Sequence, residues 1–124
     1  MKNKFIYGLL LLTTLSYAGE YESYCYSKFH KMEVYGCLDK IQTKAQAKLD
    51  KKIETILKNT SSYSRLTKKD FDKASYAFES HVEKQCGILA ILPSGSGIGH
   101  IMQDCEIKMI NNRIKELDYL FGNL

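Results

Sequence analysis

Four cysteines constrain this chain more than any other feature: Cys25, Cys37, Cys86 and Cys105, all beyond an N-terminal segment built like an export signal. Lys2 and Lys4 give that segment a basic start, Phe5 to Leu12 an apolar run, and Ser16-Tyr17-Ala18 the small residues at which signal peptidase cuts. Cleavage is expected after Ala18. The apolar run is well short of the roughly 20 residues that span a bilayer, and polar Thr13, Thr14 and Ser16 follow it. No Cys follows the run at a lipidation position, so a soluble product is expected, with no stable membrane insertion. In an exported chain an even cysteine count reads as disulfides, because the destination is oxidising. Three pairings are open. Cys25 with Cys37 and Cys86 with Cys105 is favoured, since each pair closes a short loop within one half of the chain.

Of the 124 residues, 19–124 remain after cleavage, enough for one domain with its own core and too few for a second. Apolar residues at Leu38, Ile41, Ala45, Leu49, Ile53, Ile56 and Leu57 recur every three or four positions, predicting a helix from about Val34 to Lys58. The polar run 59–64 should end it. Thr67-Lys68-Lys69-Asp70 has the form of a capping box opening a second helix, whose inner face is Phe71, Ala74, Phe78, Val82 and Cys86. Gly87, Pro93 and the stretch Gly95-Ser96-Gly97-Ile98-Gly99 mark one long connection. A third helix is predicted from about His100 to Leu120, with Ile101, Cys105, Met109, Arg113, Leu117 and Leu120 on one face. Before Cys37, the crowded aromatics Tyr21, Tyr24, Tyr26, Phe29 and Tyr35 suggest a short helix clamped by the first disulfide. The expected fold is therefore all-α: a small helical bundle of three main helices plus a short N-terminal helix, with two disulfides. An antiparallel hairpin of the second and third helices would bring Cys86 to Cys105 within the roughly 7 Å a bridge requires.

Loss of Lys2 and Lys4 lowers the formal charge from +4 to +2, and Lys and Glu alternate along helix faces, which argues against nucleic-acid binding. His81, Cys86, His100 and Cys105 have metal-binding chemistry, but their spacing is not that of a zinc knuckle and oxidation would consume the thiols, so no metal or other cofactor is expected. His30 reads as a solvated side chain. A bridged Cys86 cannot serve as a nucleophile with His81 and Glu83, and no G-x-S-x-G elbow is present. Glu79 and Glu83, four apart, read as a solvated helix face rather than a glycosidase pair. The chain is expected not to be an enzyme. The glycines before the third helix lack the Lys-Ser/Thr ending of a P-loop and read as a connector, while the apolar stretch from Ile88 to Ile98 is a candidate docking segment. Arg113 is the one charged residue on its helix face. Its stem is expected to pack and its guanidinium to bond a carboxylate or helix end, with Asp50 a candidate; partner contact is the alternative.

The cysteine frame resembles the N-terminal domain of the LprI-type lysozyme inhibitors. Cys25 and Cys37 match that family's first pair, Leu49-Asp50 stands at its Leu-Asn, and Ala77-Phe78 stands at its Ala-Trp ahead of Cys86. Gly95-Ser96 matches its Gly-Ser, and Cys105, Arg113 and Leu117 keep its final Cys, Arg and Leu spacing. His81 and Val82, Gln46 and Ile53 depart from its usual residues. The resemblance implies a periplasmic or secreted binding protein, with a lysozyme or another envelope protein as partner and Gly95, Ser96 and Arg113 as contact residues. A non-inhibitory envelope scaffold is the alternative expectation.

Overall fold

The computed structural model describes residues 19–30, 32–60, 65–91 and 98–122. The expected export signal, Gly95 and Ser96 lie outside these. The fold is all-α. The described residues form four helices, α1 (Glu20–Lys28), α2 (Val34–Thr60), α3 (Lys68–Gly87) and α4 (Ile98–Phe121), and a 3-10 turn at Ile88–Ala90 follows α3. None of the described helices is long and apolar enough to cross a membrane.

Long α2 is the spine, and its predicted stripe is its inner face: Leu38, Ala45, Leu49 and Ile56 are buried, with Ile41, Ile53 and Leu57 packed at the edges. The helix runs past Lys58 because the buried Thr60 hydroxyl donates to the Ile56 carbonyl at 2.7 Å, which keeps a residue with turn character inside the last turn. Its main neighbour is α4, and the two run parallel. Gln103 bonds Asp39 and Gln42, Gln42 bonds Glu106, and Lys52 pairs with Asp118 further along the same direction. Parallel packing of two elements joined through α3 follows from α3 carrying the chain back. Phe71 lies against Phe121 and Cys86 is bridged to Cys105, so α3 and α4 form the antiparallel hairpin expected from the cysteines.

Both favoured bridges are present, Cys25–Cys37 with Cα atoms 5.8 Å apart and Cys86–Cys105 at 5.7 Å. Each falls within the range a disulfide spans without backbone displacement. The first ties α1 to α2 and the second ties α3 to α4. The first bridge belongs to a cluster with Val34, Leu38 and Ile107; the second core cluster gathers Ala45, Leu49, Ile56, Phe71, Ile110, Ile114 and Leu117. Such bridges are what an oxidising, non-cytoplasmic compartment permits.

The α4 face differs from the sequence expectation. Its buried positions are His100, Asp104, Ile107, Ile110, Ile114 and Leu117, whereas Ile101, Cys105, Met109 and Arg113 are half-buried and Leu120 is exposed. Of the predicted stripe, Leu117 is in the core as expected, while Cys105, Met109 and Arg113 turn toward α3. The deeper side meets α2 and α1, and a helix packed against three others is apolar over more than one stripe.

At the start of α3 the capping box forms as expected. The Thr67 hydroxyl accepts from the Asp70 amide at 3.3 Å, and Asp70 Oδ2 accepts from the Thr67 amide at 2.8 Å. Hydrogen bonds from the Thr67 hydroxyl and amide, in that order, hold the Asp70 carboxyl below its ordinary value of 3.8. A lowered folded-state value contributes stability above pH 3.8 and loses it as pH falls through the folded-state titration. Asp70→Asn is therefore expected to reduce stability near neutral pH and flatten its fall in acid below about pH 4, read from urea midpoints across pH. An unchanged acid limb in the variant would assign that limb to other groups.

Candidate functional site

The apolar chemistry left on the surface gathers where α1 turns into α2. Short α1 is amphipathic only in part: Cys25 is bridged and buried, Tyr21 packs at the edge of the core, and Tyr24 faces outward. The chain leaves α1 in extended conformation at Phe29 and re-enters helix at Val34, which is fully buried and pins the turn. Around this turn Met32 is 89% exposed, Tyr24 53% and Phe29 45%. Together with Glu33, Gly36, Lys40 and Lys44 they line a cleft of about 460 Å³. Single exposed apolar residues are ordinary on a protein surface; several grouped on one concave surface mark a contact site. Lys40 and Lys44 against Glu33 give the rim a basic bias.

Behind this surface, the buried His100 is enclosed by Tyr26 and Tyr35. Its ring lies 3.8 Å from that of Tyr35, and its Nδ1 is hydrogen-bonded to the Tyr26 hydroxyl at 2.7 Å. Tyr26 and Tyr35 thus brace the α1–α2 turn on the start of α4. His100, grouped with His81 as metal chemistry in the sequence, is a packed aromatic, while His81 is exposed on α3. Among the described residues no group of three His, Cys, Asp or Glu is arranged to hold a metal ion. Glu79 and Glu83 are both exposed on α3.

Arg113 lies elsewhere. Its guanidinium sits 6.0 Å from the Phe78 ring centroid and pairs with Glu116, one turn on, at 3.1 Å. The carboxylate partner is Glu116 rather than Asp50, because Glu116 is reachable within α4 while Asp50 accepts from Gln46 at 3.0 Å. Gln46, Asp50, Phe78, Glu79 and Arg113 share a hollow of only about 40 Å³. A broader groove along α2 is lined by Asp39, Gln42, Gln46 and Asp50, and its Gln42 is occupied by Gln103 and Glu106.

Sequence reasoning grouped the aromatics before Cys37 but did not separate those facing in from those facing out. Met32 carried no periodic signal, since it lies between helices. No protein-family model, curated protein or solved structure matches the chain.

Proposed function

We propose that this chain is an exported envelope protein that acts by binding another protein through the cleft at the α1–α2 turn. The observation that carries this reading is the exposure of Tyr24, Phe29 and Met32 together on one concave surface, held in place by a disulfide and the buried Val34. Two bridges and a signal-like N-terminus support export. The basic rim favours a partner presenting an apolar side chain beside carboxylates, and a rigid scaffold lowers the ordering cost of binding.

Inhibition of a lysozyme by occluding its cleft is a second reading, supported by the cysteine frame and the spacing of Cys105, Arg113 and Leu117. Lysozymes are commonly basic, and the lysine-edged cleft is a poor electrostatic complement to them, which favours an envelope partner instead. Titration of the mature protein against several lysozymes separates the two. Undiminished lysis at high excess removes the inhibitory reading and leaves the scaffold. Under the first reading Met32→Glu combined with Phe29→Glu is expected to weaken partner binding by more than tenfold with little change in unfolding midpoint, because both side chains are exposed. Unaltered binding in that variant would rule the cleft out.

A further inference from the structure

The N-terminal end of α1 is capped by a distant side chain. Gly19 occupies the N-cap and has no side chain to offer. Asp104 of α4 takes its place, its Oδ1 accepting from the Tyr21 amide at 2.7 Å and the Glu22 amide at 2.8 Å. Glu22, at the third helical position, reaches back to the Gly19 backbone N–H, the other half of a capping box. Both carboxylates are buried, and Glu22 Oε2 has no hydrogen-bond partner. Burial, and then the charge of Asp104, push the Glu22 carboxyl above its ordinary value of 4.5. A buried carboxylate oxygen without a partner, beside a second buried carboxylate, is an arrangement that a neighbouring cation would offset. A side chain at Gly19 would overlap the Asp104 carboxylate, so Asp104 approaches the start of α1 this closely only because residue 19 is glycine.

Resting on the export reading, we propose that Ala18–Gly19 is the bond cut by a signal endopeptidase, and that the α-ammonium created on Gly19 is held between Glu22 and Asp104 as an ionic part of the fold. Water supplies the hydroxyl that completes the Ala18 carboxylate; the Gly19 nitrogen takes the remaining proton and a second from solvent. One amide N–H becomes three donors and a positive charge beside an acceptor that lacks a partner. The same side of α4 carries His100, bonded to Tyr26 of α1. Processing thus completes the seat of α1, the helix that forms one wall of the proposed cleft.

The test is the protein purified after export from a bacterial host. Mass analysis is expected to place the N-terminus at Gly19, and the α-amine to titrate about one unit above the ordinary range of roughly 7.7–8.0. It should therefore acylate about tenfold more slowly near pH 7 than an unstructured Gly peptide. Asp104→Asn and Glu22→Gln should each restore most of that rate. Nα-acetylation, which needs no variant to fold, should lower the urea midpoint of the wild type and reverse the effect of Glu22→Gln, which then becomes stabilising at neutral pH. An ordinary amine, or a midpoint indifferent to acetylation, would overturn the proposal. A processed chain beginning at another residue would overturn it while leaving export intact, and an exported, uncleaved chain would overturn both.

Discussion

Replacing both Cys86 and Cys105 by Ser is expected to lower the unfolding free energy by about 3 kcal/mol, a large part of the roughly 5–15 kcal/mol that holds small domains folded. The bridge closes a 19-residue separation, and in the chain-entropy account a loop of that size in the unfolded state is the main source of its effect. It also fastens α3 to α4 at the end remote from the Phe71–Phe121 contact, so α3 is held at both ends. Cys86 is buried, so the variant also places one hydroxyl in an apolar position. Urea unfolding of oxidised wild type and double variant measures the difference. The Cys25→Ser/Cys37→Ser pair serves as comparison, and its effect should concentrate on α1, seen as faster amide exchange over residues 20–28. A loss below about 1 kcal/mol for the first pair would mean that the unfolded chain is already compact there.

Ile107→Ala is expected to cost about 2–5 kcal/mol, whereas Leu120→Ala changes stability by less than about 0.5 kcal/mol. Ile107 is 0% exposed and sits in the cluster that joins α4 to Val34, Leu38 and the first disulfide, while Leu120 is 58% exposed. Loss of three buried carbons there leaves a void that α1 and α2 cannot both close. The contrast also tests the orientation of α4. If the stripe ending in Leu117 and Leu120 were the buried one, the order of the two effects would reverse.

That orientation is where sequence and structure part. The stripe of α2 was legible because the helix has one dominant neighbour and its outer side is filled with Lys and Gln. Thr67 and Asp70 were legible because a capping box is local. On α4, Ile101 to Leu120 keeps good helical spacing, yet apolar residues also fill the side bearing Ile107, Ile110 and Ile114, and periodicity cannot rank two apolar sides. Only the packing of α1 against α2 and α4 decides which lies deeper. The role of Asp104 is hidden in the sequence for a different reason. Its role as a cap for α1 spans 82 positions, from Asp104 to Glu22, and nothing near it in sequence signals the helix it caps. The cleft fell between these cases: its aromatics were visible as a group, but their division into Tyr21 facing the core and Tyr24 facing out comes from the disulfide that fixes the rotation of α1.

The proposal that the α1–α2 turn is the partner-binding face of an exported protein has a direct test. A photoreactive amino acid is placed at position 32, and separately at exposed Tyr119 on α4, in the chain expressed with its full N-terminus in cells. The expected result is a discrete protein adduct at position 32, recovered from the envelope fraction and lost when Phe29→Glu is added, with none at position 119. Equal labelling at both positions, or an adduct at position 32 that is indifferent to Phe29→Glu, would contradict it.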